Sequence, residues 1–402
     1  MLDLDKLKTT ADLDVNGKRV LVRADLNVPV RDGKVSDATR LERVLPGLQD
    51  LARRGARVIV ISHFGRPKGA PEPGLSLKPV AEKLAELLGG PVAFAPDCIG
   101  SAAETAVAAL QPGQIAVLEN LRFHKGEEKN DKAFAQALAR LGDIYVSDAF
   151  STAHRAHAST DAVTRLLPSY AGPLTMEEIN ALRSVLDKPQ RPVAAVIGGA
   201  KVSTKIALLT NLVAKVDKLI IGGAMANTFL LAQGLGVGTS LAEPDFAPTA
   251  RDIMHAAKAR SGEVVLPADA VVAPRFEAGA PSRICRVLEV PADQMILDIG
   301  PEAVAHYAEV LGRCRTLLWN GPLGAFELAP FGAGTFALAR FAAEATQAGR
   351  LTSVAGGGDT VAALNAAGVT DQFTYVSTAG GAFLEWLEGR ELPGIAALIH
   401  AG

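Results

Sequence analysis

Short apolar runs rich in valine, isoleucine and leucine alternate along the chain with longer segments in which alanine and leucine recur at helical spacing. Runs apolar on both faces suit strands buried between helix layers, so the alternation predicts α/β architecture with parallel sheets flanked by helices. In the first half the runs predict strands at Val20–Leu26, Val58–Ser62, Val92–Ala95, Ile115–Glu119 and Ile144–Ser147. Helical spacing covers Arg40–Arg54, Leu77–Leu88 and Asp131–Leu141. In the second half strands are predicted at Val193–Ile197, Lys218–Ile221, Glu263–Leu266, Thr316–Trp319, Leu351–Ala355 and Phe373–Val376. The helices predicted there are Thr204–Val213, Ala247–Ala259, Phe336–Ala348 and Thr360–Ala367. Between the halves a helical pattern runs from Thr175 to about Leu186, with Thr175 as N-cap and Glu178 as its reciprocal partner. A helix is stiffer than a Gly/Ser linker, so two lobes joined by a hinge are expected.

In open parallel sheets, ligands sit beyond the carboxyl ends of the strands. The first half carries cations there: Arg23-Ala-Asp25-Leu-Asn27, Ser62-His63-Phe-Gly-Arg66, Glu119-Asn120-Leu-Arg122, and Asp148-Ala-Phe followed by His154-Arg155-Ala-His157. Guanidinium forks match phosphate and carboxylate oxygens, and their recurrence past apolar strands predicts a pocket for a small polyanion. A zinc site at His154 and His157 is the weaker reading, because no carboxylate or cysteine falls at the usual spacing.

The second half carries glycine instead. Gly198-Gly199, Gly222-Gly223, Asn320-Gly321-Pro322, Gly356-Gly357-Gly358-Asp359-Thr360 and Gly380-Gly381 follow successive runs. Small residues let backbone N–H groups approach an anion, and Asp359 offers a carboxylate for Mg²⁺. Lys201 and Lys205, four apart, would share one face of a helix near its positive end. No Gly-x-x-x-x-Gly-Lys-Ser/Thr occurs, which excludes a P-loop NTPase. Gly332-Ala-Gly334-Thr-Phe-Ala337 follows Pro-Phe rather than a strand, so it is discounted as a dinucleotide motif.

Composition narrows the class. Hydrophobic residues make up 49% and charged residues 21% of the 402, with net charge −2. That balance suits a soluble two-domain protein and argues against general nucleic-acid or membrane-surface binding. Cys98, Cys285 and Cys314 have no metal-like spacing and are expected to be reduced thiols of a cytoplasmic protein. The start, Met1 to Lys6, has neither a basic cluster nor an apolar run, so no signal peptide is expected.

Taken together, these motifs resemble phosphoglycerate kinase over essentially the whole chain. The resemblance rests on Arg19-Val-Leu-Val-Arg-Ala-Asp-Leu-Asn-Val-Pro29, Ser62-His-Phe-Gly-Arg-Pro67, Leu118-Glu-Asn-Leu-Arg-Phe123 and Asp148-Ala-Phe-Ser-Thr-Ala-His-Arg-Ala-His157. It continues through Gly198-Gly-Ala-Lys-Val-Ser-Thr-Lys205, Trp319-Asn-Gly-Pro322, Gly356-Gly-Gly-Asp-Thr360 and Leu387-Glu-Gly-Arg-Glu-Leu-Pro-Gly394. It implies two Rossmann-like lobes: residues 1–172 for 3-phosphoglycerate, a helix over 173–188, and residues 189–389 for MgADP or MgATP. The tail 390–402 is expected to fold back onto the first lobe.

By the matching motifs, the resemblance implies that Arg23, Asp25, Asn27, Arg40, His63, Phe64, Gly65, Arg66, Arg122, Arg155 and His157 serve the acid substrate. Gly199, Lys201, Lys205, Gly223, Asn320, Glu327, Gly357, Gly358, Asp359 and Thr360 would serve the nucleotide. Glu327 would meet the ribose hydroxyls and Asp359 the Mg²⁺. Arg40, Lys205, Gly358 and Gly381 are the residues expected to act on the moving phosphoryl. Ser151 stands where the family usually has glycine, Ala224 and Ala379 each replace a glycine, Phe383 replaces a small residue, and Arg390 a common lysine.

The implied reaction passes a phosphoryl group between the acyl phosphate of 1,3-bisphosphoglycerate and ADP. Its carboxylate nucleophile is already ionised at neutral pH, so positioning, charge stabilisation and hinge closure suffice without a general base. A nicotinamide dehydrogenase would need a Gly-x-Gly-x-x-Gly after a strand, and a non-enzymatic two-lobed anion binder would not need Gly-Gly-Gly-Asp-Thr. A monomer is expected.

Overall fold

The computed structural model describes residues 3–11 and 13–401; part of the N-terminal reading, at Met1 and Leu2, lies outside them. Contacts divide the chain into two compact units, residues 1–179 with 391–402, and residues 180–390. Each is built on its own six-stranded sheet in which every strand pairing is parallel.

In the first unit the sheet order is Val92–Ala95, Ile115–Leu118, Arg57–Ile61, Arg19–Ala24, Ile144–Asp148, Ser169–Ala171. The earliest strand is central, and later ones are added on both sides of it. The helix Thr39–Arg53 covers one face through Leu41, Val44, Leu48 and Leu51, whose three- and four-residue spacing keeps them on one stripe. Those side chains pack with Val20, Val22, Val58 and Val60. The last helix, Pro393–His400, belongs to this unit: its Gly394 N–H bonds Ala153 O at 2.8 Å, and Ile395 and Leu398 are buried.

In the second unit the order is Glu263–Val265, Lys218–Ile221, Val193–Ile197, Thr316–Asn320, Thr352–Gly356, Tyr375–Ser377. All five residues of Val193–Ile197 are wholly buried, each Val or Ile contributing roughly 1.5–3 kcal/mol. A separate antiparallel sheet, Arg283–Arg286, Asp269–Ala273, Met295–Ile299, extends this unit. The apolar pattern does not predict it, because charged residues, Asp269, Arg283, Arg286 and Asp298, interrupt its apolar runs.

Two local expectations are corrected. The helix Pro173–Leu186 starts two residues before Thr175, and its capping group is not Thr175. The Asp148 carboxylate, at the end of a strand, accepts hydrogen bonds from the N–H groups of Leu174 and Thr175. The helix predicted from Thr204 starts at Ile206, so Lys201 and Lys205 do not share a helical face. Glu243 is the reason: its carboxylate takes the N–H and hydroxyl of Ser203, which holds the preceding residues in turns.

Candidate active site

In the first unit the central strand delivers Arg23, Asp25 and Asn27 to the crevice where strand order reverses. Arg23 is 1% exposed and fully engaged: Nε donates to Ser159 Oγ, Nη1 to Ala24 O, and Nη2 to His63 Nδ1 at 3.1 Å. A guanidinium can only donate, so His63 carries its hydrogen on Nε2. Burial, reinforced by the charges of Arg23, Arg122 and Arg155, pushes the His63 imidazole far below its ordinary value and keeps it neutral. His157 is pushed down to about 4 by burial, then by Arg122 and Arg155. Both imidazoles are therefore neutral near pH 7, and the positive charge in this crevice belongs to the arginines. Behind them the wholly buried Glu127 accepts from Ser159 N–H and Oγ, and burial raises its pKa.

Asn120, buried at the end of Ile115–Leu118, ties neighbouring strand ends together. Its Oδ1 accepts from the N–H of Phe64 and of Arg122, and its Nδ2 donates to Phe64 O and Leu75 O. Arg122 is 4% exposed, gives Nη1 to Gly65 O at 2.7 Å, and keeps a buried Nε with no hydrogen-bond partner. That Nε faces Glu128 Oε1 at 3.4 Å as an ion pair. Gly65, at φ +59°, gives its N–H to Asn27 Oδ1. Arg155 is half-buried and Arg66 is exposed. Arg40, in the first turn of Thr39–Arg53, reaches Asp25 Oδ2 at 3.3 Å and Asn27 O at 2.9 Å. Arg43, one turn on, pairs instead with Glu177 at 3.3 Å.

In the second unit the crevice lies between Val193–Ile197 and Thr316–Asn320. A Cβ on Gly198 would overlap the carbonyl oxygen of Pro322, so only glycine lets these turns close. Lys205 Nζ donates to Gly198 O at 2.6 Å and Asn320 Oδ1 at 2.8 Å. Burial lowers its pKa to about 8, opposed by the Asp359 charge. Asn320 Nδ2 donates to Gly356 O, and Gly321 N–H to Thr360 Oγ1, so both residues brace the glycine-rich turn. Gly357 sits at φ +100° just before the helix Gly358–Ala367. Asp359 is exposed in that helix's first turn, with Thr360 buried beneath. Gly381 opens the helix Gly381–Leu387.

A cavity of about 530 Å³ adjoins this turn, and Gly199, Gly223, Glu327 and Asp359 line it. Its walls are Leu241, Phe276, Met295, Leu297 and Leu323. Largely apolar and fringed by glycines, it suits a nucleotide base.

The sequence matches the family model described as phosphoglycerate kinase over residues 10–390. The chain belongs to the phosphoglycerate kinase family. It is 61% identical over 388 residues to a phosphoglycerate kinase of Methylorubrum extorquens strain PA1, covering 96% of this chain and 97% of that one. It is 60% identical over 394 residues to that of Bradyrhizobium diazoefficiens, covering 98% and 99%. The fold superimposes on the phosphoglycerate kinase of Coxiella burnetii with TM-score 0.92 at 43% identity, and on that of Pyrococcus horikoshii OT3 with 0.81 at 31%. Each comparison spans 98% of this chain and 99% of the other. The chain is thus a phosphotransferase with a carboxyl group as acceptor, acting on phosphoglycerate and adenine nucleotides.

Against the family pattern, Phe383 is wholly buried and packs so tightly on Gly356 that a Cβ there would meet its ring at 2.6 Å. Ala224 lines this cavity and Ala379 is buried. Ser151 donates to Asp25 Oδ2 at 2.6 Å. The discounted Gly332–Ala337 stretch opens the helix Ala333–Gln347, where Gly334 N–H meets Asp298 and the glycine lets the helix approach Ile299.

Sequence reasoning missed the cavity walls, which come from four separated segments, and missed Asp298, which also lines it. Burial pushes the Asp298 carboxyl up to about 7. Among the described residues one mixed group has ligand atoms within 4.8 Å of one another: Asp97, Cys98 and His124. Asp97 Oδ1 already bonds His124 Nε2 and the N–H groups of Cys98 and Ile99, and burial pushes the thiol up, so the carboxylate is taken up in the turn ahead of the helix Gly100–Ala109. Also among the described residues, no helix is long and apolar enough to cross a membrane.

Proposed function

We propose that the first unit holds 3-phosphoglycerate or 1,3-bisphosphoglycerate and that the second holds the nucleotide as its Mg²⁺ complex. The observation that carries this reading is the pairing of two unlike crevices: cations and neutral imidazoles in one, Lys205 with a glycine-lined base cavity in the other.

In the first unit Arg122, Arg155, Arg66 and the histidines bind carboxylate and phosphate, with the buried Arg23 holding His63 in place through Nη2 and with Asp25, Asn27, Phe64 and Gly65 shaping the pocket. Arg40 meets charge that develops on the transferring phosphoryl. In the second, the N–H groups at Gly357, Gly358 and Gly381 and the ammonium of Lys205 receive phosphate, helped by Lys201, Gly199, Gly223, Asn320 and Thr360. Glu327 accepts from the ribose hydroxyls. The Asp359 carboxylate, exposed at the cavity edge, fits one protein ligand to Mg²⁺, which takes its other ligands from phosphates and water. Bound there, the ion offsets phosphate charge.

The acceptor is a carboxylate that needs no deprotonation, so these groups orient the reactants and stabilise a metaphosphate-like transition state. Both ligands together are proposed to draw the two units into a closed form about the linking helix. We also propose a monomeric, cytoplasmic enzyme. Formation of ATP from 1,3-bisphosphoglycerate and ADP in a coupled assay tests the reading; no ATP above background removes it.

A further inference from the structure

Within the proposed acid site, one carboxylate oxygen has two donors. Asp25 Oδ2 accepts from Ser151 Oγ at 2.6 Å and from Arg40 Nη1 at 3.3 Å. Asp25 Oδ1 is taken by the N–H of Asn27 at 3.1 Å. An arginine–carboxylate hydrogen bond ordinarily closes to about 2.7–2.9 Å, so the Arg40–Asp25 contact is long while the hydroxyl is held tightly; the same Nη1 rests on Asn27 O at 2.9 Å. The Arg40 side chain is 39% exposed and that of Asp25 17%, so the arginine stands on the open side of the pair.

We propose that Ser151 is a positioning residue that sets how firmly Asp25 tethers Arg40. This rests on the reading that Arg40 acts on the transferring phosphoryl. The hydroxyl occupies the oxygen that the guanidinium would otherwise close upon. When the phosphoryl arrives, Arg40 leaves Asp25 at little cost, because Ser151 continues to satisfy the carboxylate. Ser151 is suited to this by its place. It lies in the short 3-10 turn Phe150–Thr152, immediately after the strand Ile144–Asp148, which pairs with the strand that delivers Asp25. The neighbouring residue Ala153 is in turn pinned by the helix Pro393–His400. Without the hydroxyl, Asp25 and Arg40 contract into an ordinary ion pair, and that pair must be broken in each turnover.

Steady-state kinetics of Ser151→Ala, Ser151→Thr, Asp25→Asn and the double variant Asp25→Asn/Ser151→Ala test the proposal. Ser151→Ala should lower kcat by ~3–10-fold, the size of one net hydrogen bond, with KM for 3-phosphoglycerate nearly unchanged. Ser151→Thr keeps the hydroxyl and should restore turnover. The loss should vanish when Ser151→Ala is added to Asp25→Asn, because no carboxylate remains to recapture Arg40. Unchanged turnover in Ser151→Ala, or an equal proportional loss in both backgrounds, overturns the proposal. An Asp25→Asn variant with unaltered kcat and KM would instead remove the site reading beneath it.

Discussion

Asp148 Oδ1 accepts a hydrogen bond of 2.7 Å from the backbone N–H of Leu174, and so caps the helix that leads from one unit to the next. A second N–H, from Thr175, reaches the same oxygen at 3.2 Å. Burial nevertheless pushes the carboxyl up to about 6, outweighing both donors. A folded-state pKa above the unfolded value means that the native protein binds the proton more tightly. This stabilisation is complete below about pH 4 and is lost as pH rises through about 6.

Asp148→Asn cannot ionise and keeps an oxygen acceptor for the two N–H groups. Relative to the parent, the variant should gain stability on the order of 3 kcal/mol between pH 4 and pH 7. Urea midpoints measured across that range check it. A constant difference between the two proteins would show that Asp148 does not titrate there.

Arg40 and Arg43 lie one turn apart and have different partners, the Asp25–Asn27 turn for one and Glu177 for the other. Arg40→Ala should lower kcat by a hundredfold or so, a loss of roughly 3 kcal/mol, with small changes in either KM. Arg43→Ala should keep near-normal turnover, since a partly exposed ion pair contributes about 0–1 kcal/mol. Equal losses in the two variants would defeat the assignment.

Asp359 is exposed in the first turn of its helix and is coupled electrostatically to Lys205. Asp359→Asn should weaken Mg-nucleotide binding and leave 3-phosphoglycerate binding intact. Isothermal calorimetry with each ligand separates the two effects. Matched loss of both affinities would mean that the substitution disturbs folding rather than the metal.

Lys205, with its pKa lowered to about 8, should begin to lose its charge just above neutrality. The lowered value belongs to the free enzyme, so kcat/KM for the nucleotide should fall as pH rises through about 8. Phosphate binding favours the ammonium, so the same limb in kcat should lie at higher pH. Coincident limbs would show that another group titrates.

Much of this was legible in the chain itself. Val193–Ile197 and Lys218–Ile221 occur where their apolar runs place them, because a strand buried on both faces has little choice of composition. Charged strand ends could be read for the same reason: cations just past an apolar run have few structural explanations. The apolar cavity of the second unit could not. Leu241, Phe276 and Met295 are ordinary apolar residues far apart in sequence, and only the antiparallel excursion after Val265 brings them together. Asp148 was visible as a strand-end acid, but its partners lie some 26 residues on, a distance no local capping pattern spans. Lys201 and Lys205 show the opposite failure. Their four-residue spacing is helical, yet Glu243 supplies a nonlocal hold on Ser203 that delays the helix.

The placement of the C-terminal helix bears on how the chain is made. Residues 391–402 complete the unit begun by residues 1–179, while residues 180–390 are self-contained. During synthesis, the later unit has its whole sequence available before the earlier one does. The earlier unit must wait for Leu392, Ile395 and Leu398 to leave the ribosome before its last apolar patch is covered. A premature stop near residue 390 would therefore spare the unit just finished and wound the one begun first. The damage would fall at Ala153, two residues from the hydroxyl that holds Asp25.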